Sequence, residues 1–199
     1  MDLEGCLVPE IWIRLAAQTG IDELKVTTRD IKDYDELMSY RLGILDKHKI
    51  GMTQLRTAIE SIGPLEGALE YTQWVRERFP FIILSDTFYE FADPLMKQLE
   101  RPTLLCHQLE IDANDRIVGY HLRTVDGKAH AVRSLQDNGF RVISIGDSYN
   151  DVTMLKQADQ GILFHAPDNV IEEFPQFPAC TNYEELKAQI SKAAQAPQS

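Results

Sequence analysis

Gly146-Asp147-Ser148-Tyr149-Asn150-Asp151, following the apolar run Val142 to Ile145, decides how this chain is to be read. A short apolar run ending in glycine reads as a buried strand that turns sharply, because glycine tolerates backbone angles that other residues resist. Val152 to Ala158 then reads as a helix. Asp147 therefore stands at a strand tip and Asp151 in the first turn of the next helix. Read without chemistry, the stretch is a turn with an Asp cap. The start of the chain gives it a second meaning. Asp2-Leu3-Glu4-Gly5 sets two acids two positions apart, and in extended chain such residues point the same way. Carboxylates converging at strand tips can hold Mg²⁺, which takes hard oxygen ligands and keeps waters for a phosphate to displace. One of them can also attack phosphorus.

Two further groups lie between these acids. Ser85 follows the apolar run Phe81 to Leu84, and Lys128 opens a helical pattern. The Ser85 hydroxyl, with the backbone amides of Asp86 and Thr87, can bind a phosphoryl oxygen; the plain alternative is a turn that caps a helix. Lys128 can neutralise charge between nucleophile and phosphate, although most helix lysines are solvated surface groups. Acid pair, hydroxyl, lysine and second acid cluster, in that order, suit phosphoryl transfer. Arg41 falls on the largely apolar face Leu37-Met38-Leu42-Leu45 and suits bidentate capture of a carboxylate. Glu10 can bind an ammonium. Together they read as a recognition pair for the zwitterionic end of an amino acid, or else as a buried ion pair. His107, His121, His130 and His165 show no metal-ligand spacing and read as ordinary residues.

The chain has 199 residues and a net charge of −11, so nucleic acid and anionic membranes are poor partners. Cys6, Cys106 and Cys180 are widely spaced with no CxxC, the pattern of reduced thiols in a soluble, cytoplasmic protein. From Pro9 the sequence predicts three helices in a row: Ile11 to about Gly20, one from Asp33, and one capped by Thr53 and running to Gly63. After Pro64 helix and strand alternate. A helix over Glu66 to Arg78 precedes a strand over Phe81 to Leu84. Pro94, capped by Asp93, starts a helix ending at Leu99. A strand over Thr103 to Cys106 precedes a hairpin of Leu109–Ile111 with Ile117–Tyr120. A helix from Lys128 to Asn138, the strand and helix around Asp147, a strand over Gly161 to Phe164 and a last helix capped by Asn182 follow, fraying from Ala194. This is an α/β class chain, with a parallel sheet covered on both faces. The predicted division is a core of residues 1–9 and 63–199 with a helical cap of residues 10–62.

These motifs resemble the haloacid dehalogenase superfamily over nearly the whole chain. Asp-Leu-Glu-Gly-x-Leu-Val-Pro-Glu-Ile-Trp, Leu-Ser-Asp-Thr-Phe-Tyr-Glu-Phe, Gly-Asp-Ser-Tyr-Asn-Asp and Phe-His-Ala-Pro-Asp-Asn-Val are similar to its phosphoserine phosphatase / phosphoserine:homoserine phosphotransferase branch. The resemblance implies a Rossmann-like parallel core and transfer of phosphate from phosphoserine to water or homoserine. It implies Asp2 as nucleophile, Glu4 as proton shuttle, and Mg²⁺ held by Asp2, the Glu4 carbonyl and Asp147 with Asp151 in support. Ser85 and Lys128 would serve both catalysis and binding, and Glu10, Arg41, Asp86 and Asn150 would hold substrate. The family usually has Asp where this chain has Glu4, and common phosphoserine phosphatases resemble Ser-Gly-Gly where it has Ser85-Asp86-Thr87. A phosphatase for another small metabolite or a non-catalytic binding homologue are the alternatives; a homodimer is compatible with either. One expectation concerns the sheet. In this fold the nucleophile ends a central strand, yet only Met1 precedes Asp2, so the sequence start is expected to fall inside the reading frame. Neighbouring strands would then be short of backbone partners and the enzyme weak.

Overall fold

A computed structural model of the chain describes residues 1–27, 30–31 and 33–195. Three helices follow the first few residues. Helix α1 (Ile11–Thr19) buries Ile11, Trp12, Leu15 and Ala16 and stops at Gly20, whose φ of 71° suits glycine. Helix α2 (Tyr34–Lys47) is capped by the Asp33 carboxylate, which accepts the Glu36 N–H at 2.8 Å. Helix α3 (Met52–Glu60) departs from expectation at both ends. It stops before Gly63, and Thr53 is not its cap. The cap comes from far along the chain, where Asp115 accepts the Thr53 N–H at 2.9 Å and the Thr53 hydroxyl at 3.0 Å. The Asp115 carbonyl accepts the Met52 N–H at 2.8 Å. Gly51 permits this approach: a side chain there would collide with the Asp115 carboxylate.

Helix α4 (Ala68–Arg76) leads into strand β1 (Ile82–Phe88), which runs four residues past the end of the apolar run at Leu84. Strand β2 (Thr103–Ile111) is one strand where two are expected. Its first half pairs in parallel with β1 and its second half antiparallel with β3 (Ile117–His121). Leu84 faces Leu105 but Phe88 faces His107, so β1 carries two extra residues and bulges over Ser85 to Thr87. Helix α5 (Tyr89–Gln98) begins well before Pro94, which sits inside it. The ring removes one helical hydrogen bond, and burial of Phe91, Ala92, Pro94 and Leu95 outweighs that loss. Asp93 pairs with Lys97 and Arg101 rather than capping.

The remaining elements are α6 (Gly127–Asp137), β4 (Ile143–Gly146), α7 (Val152–Gln157), β5 (Gln160–Phe164), α8 (Asp168–Glu173), β6 (Ala179–Cys180) and α9 (Tyr183–Gln195). α8 and β6 are too short to announce themselves in the sequence. Asn182 caps α9 by accepting the Glu185 N–H at 3.0 Å. Ala194 and Gln195 are helical, and the rest of the expected frayed end lies outside the described residues. Strands β4, β5 and β6 form a second parallel sheet. Met1 and Asp2 run between β1 and β4 and join the two sheets: the Leu84 N–H donates to the Met1 carbonyl and the Asp2 N–H to the Ile145 carbonyl, both at 2.9 Å. The terminal amino group donates to the Ile82 carbonyl at 3.1 Å. Buried residues of α1, α2 and α3 form one continuous core with those of β1, α5, β5 and α9.

Asp115→Ala should lower stability by about 1 kcal/mol, the usual value of a helix cap. Hydrogen exchange should quicken at Met52 and Thr53 while the β4–β5 amides stay protected. Unchanged exchange at those two residues would mean that α3 holds itself.

Candidate active site

Four elements deliver charge to one point at the ends of the central strands. Asp2 closes the seam between β1 and β4, Asp86 sits in the β1 bulge, Lys128 is the second residue of α6, and Asp147 and Asp151 bracket the turn after β4. The Lys128 ammonium is the hub. It lies 2.9 Å from Asp2 Oδ1, 2.8 Å from Asp151 Oδ1 and 3.4 Å from Asp86 Oδ2. Lys128, Asp2 and Asp151 are buried. Burial works against the lysine's charge, but Asp151, Asp2 and Asp86 outweigh it and hold the ammonium well above its usual pKa.

Asp151 uses its other oxygen to fix the turn. Oδ2 accepts the Asp147 N–H at 2.9 Å and the Ser148 N–H at 3.2 Å. Gly146 has to be glycine here, since a Cβ would overlap the Asp151 side chain. Across the site Gly5, at φ 74°, passes so close to the Asp147 carboxylate that a side chain would strike it. One carboxylate oxygen each from Asp2, Asp147 and Asp151 lies within 4.8 Å of the others. Burial and then the neighbouring Asp151 charge push Asp147 up to about 7, and the same two causes push Asp2 well above its usual value despite Lys128. Hard oxygens crowded together and resisting ionisation fit a divalent cation such as Mg²⁺. Asp151, fully buried with both oxygens engaged, supports this site from behind.

Asp2, Glu4, Glu10, Arg41, Ser85, Asp86, Lys128, Asp147 and Asn150 all line one cleft of about 270 Å³. The sequence-predicted set is thus brought together, with Asp151 just beneath. The Glu4 carboxylate accepts the Ile11 N–H at 2.7 Å and so caps α1. Burial raises its pKa, countered in part by that bond. Arg41 sits over the Trp12 ring, its guanidinium carbon 4.5 Å from the centroid, and donates to the Val26 carbonyl at 3.1 Å. Its Nε has no hydrogen-bond partner among the described residues. Burial lowers its pKa to about 10 even with Glu4 nearby, and it makes no ion pair with Glu10 among the described residues. Tyr34, missed in the sequence, also lines the cleft and donates its hydroxyl to the Asp86 carbonyl at 3.1 Å. Its spacing with Leu37 and Arg41 is one helical face, which was the available signal.

Residues 9–156 match the family model of haloacid dehalogenase-like hydrolases. The chain belongs to that family. Among haloacid dehalogenase-like relatives, it is 60% identical over 194 residues to the phosphoserine phosphatase ThrH of Pseudomonas aeruginosa, covering 98% of this chain and 95% of the relative. It is 57% identical over 194 residues to a phosphoserine phosphatase of Pseudomonas syringae pv. tomato, covering 98% and 82%. The fold is similar to a solved apo phosphoserine phosphatase at a TM-score of 0.73 and 20% identity, with 90% of each chain covered. A phospho-aspartyl intermediate analogue of a phosphoserine phosphatase matches at 0.73 and 18%, again over 90% of each.

Metal affinity should be tied to proton release. With chelator present, Asp147 holds its proton more tightly folded than unfolded. Its contribution to stability is complete below pH 3.8 and lost as pH rises through about 7. Melting temperature without metal should therefore fall across that window, and Mg²⁺ should raise it more at pH 8 than at pH 5. An equal rise at both would show that these carboxyls ionise without the cation.

Proposed function

We propose that the protein is a Mg²⁺-dependent phosphoserine phosphatase working through an aspartyl-phosphate on Asp2. The observation that carries this reading is the Lys128 ammonium, held 2.9 Å from one Asp2 oxygen inside a cleft whose other side presents Arg41 and Glu10. The 60% identity to a phosphoserine phosphatase supports it. An Asp2 oxygen attacks phosphorus as the bond to the serine oxygen breaks, and the Glu4 carboxyl gives that oxygen its proton. Burial favours the protonated Glu4 that this step needs. Water then loses a proton to Glu4 and attacks the same phosphorus, breaking the bond to Asp2 and leaving inorganic phosphate. Asp2, Asp147 and the Glu4 carbonyl would hold a divalent cation, which would supply neutralisation of the phosphoryl charge. Lys128 and the Ser85 hydroxyl, with nearby amides, steady the transferred group. Arg41 reads the substrate carboxylate and Glu10 its ammonium, with Asp86 and Asn150 completing the pocket.

Homoserine can take the place of water at the same intermediate. A second cavity of about 730 Å³ shares Tyr34, Asp86, Lys128, Tyr149 and Asn150 with the catalytic cleft, which leaves room for an acceptor.

Phosphate release from phosphoserine should require Mg²⁺, stop with chelator and be absent in Asp2→Asn, whose amide is a poor nucleophile. Activity in that variant would remove Asp2 from the mechanism. With homoserine added, phosphohomoserine should appear as free phosphate falls; unchanged phosphate release would leave hydrolysis alone. Arg41→Ala should weaken use of phosphoserine by about 2–5 kcal/mol in kcat/KM, as expected for a buried charged contact. An aryl phosphate, which has no carboxylate, should be little affected. Equal losses on both would assign Arg41 to the fold instead.

A further inference from the structure

His107 is largely buried on the wall of the second cavity, and no step above uses it. It lies on β2 opposite Phe88, just past the β1 bulge. Its Nδ1 accepts the Arg123 backbone N–H at 3.1 Å, so the neutral ring carries its proton on Nε2. That Nε2 faces Asp86 Oδ1 at 3.6 Å. The other Asp86 oxygen faces Lys128, and Lys128 faces Asp2. Imidazole, carboxylate, ammonium and carboxylate thus follow one another from a backbone N–H to the reacting oxygen. The Tyr34 and Phe88 rings pack around the imidazole, each with its centroid 6.3 Å away. Tyr34 also grips the Asp86 carbonyl.

We propose that His107 is a positioning residue for phosphoryl transfer: its Nε2–H holds the Asp86 carboxylate turned so that Lys128 stays centred on Asp2. The argument rests on the phosphatase reading of the site. The final torsion of an aspartate is broad, so a carboxylate with one partner swings, whereas one held at both oxygens does not. Lys128 has three N–H donors, and the three carboxylates around it fix its direction only while each stays in place. Asp86 is the most exposed of the three, with 39% of its side chain accessible against 8% and 0% for Asp2 and Asp151. It therefore has the greatest freedom to leave. Lys128 and then His107 hold it ionised against the opposing effect of burial, at a pKa of about 2. The Arg123 N–H satisfies only Nδ1, so the buried Nε2–H needs an acceptor in any case, and the role of that contact is decided by kinetics.

Two variants and one cycle decide between these roles. His107→Phe keeps a ring of similar size and removes both nitrogens; His107→Gln returns an N–H of similar reach. The first should lower kcat on phosphoserine roughly threefold, the scale of an N–H to carboxylate contact that at 3.6 Å is longer than a full hydrogen bond, with KM within about twofold. The second should recover most of the loss. Asp86→Asn combined with His107→Phe should be no slower than Asp86→Asn alone, because the histidine acts through that carboxylate. Multiplying losses, or full kcat in His107→Phe with only a lower melting temperature, would overturn the proposal. An aryl phosphate measured in parallel should show the same kcat pattern, since Lys128 and Asp2 serve any phosphoryl group. If the wild type cleaves the aryl compound but not phosphoserine, the substrate reading fails while the cycle still tests His107. Should His107→Phe not fold, nitrogen NMR of the imidazole decides. An Nε2–H signal that moves in Asp86→Asn supports the contact, and one that does not move refutes it.

Discussion

The Lys128 ammonium, sealed among three carboxylates, is the constraint on which the remainder of the molecule depends. Its partners come from the chain start, the β1 bulge and the turn after β4, so the ion cluster forms only once the two sheets stand side by side. A buried charge without a partner is strongly unfavourable, and each of these groups makes the others tolerable. The balance is nevertheless incomplete. Asp2, Asp86, Asp147 and Asp151 crowd one lysine, and two of the four resist ionisation. Under the proposed function, a divalent cation among these oxygens would relieve that residual strain.

Under the proposed function, selectivity rests on a different kind of contact. Arg41 is held by stacking on Trp12 and by one bond to a loop carbonyl. Part of its guanidinium remains unpaired among the described residues. The proposed chemistry and the proposed recognition thus come from separate parts of the chain, the acids and lysine from the sheet side and the arginine from α2. They meet across one cleft.

How much of this was legible depended on sequence distance. Asp147, Asp151 and Lys128 announced themselves because each sits at or next to a strand or helix end, and Ser85 because it follows an apolar run, where local pattern is strong. Arg41 stood out as a charge on an apolar face. His107 did not, because its meaning lies in a contact across β1 and β2 and no spacing encodes it. Asp115 was hidden for the same reason, and Thr53 took its place as the expected cap. Pro94 misled in the opposite direction: a local helix-start signal yielded to burial of its neighbours. The polar Ser85-Asp86-Thr87 concealed the true length of β1, since a bulge spares those residues from the apolar alternation of a strand. The neighbouring strands were expected to lack backbone partners at the chain start, but the main chain of Met1 and Asp2 bonds to both of them.

The clasp between the β2–β3 turn and the start of α3 has a bearing on how such a protein can be rebuilt. Asp115 supplies both its carboxylate and its carbonyl to the helix, Gly51 leaves room for it, and Asp35 of α2 meets Tyr120 of β3 nearby. Helices and hairpin are therefore a matched pair despite their separation in sequence. A chimera that took residues 10–62 from one family member and the hairpin from another would bring together a lock and a key cut separately. Exchanging the two segments as a unit would keep them in register.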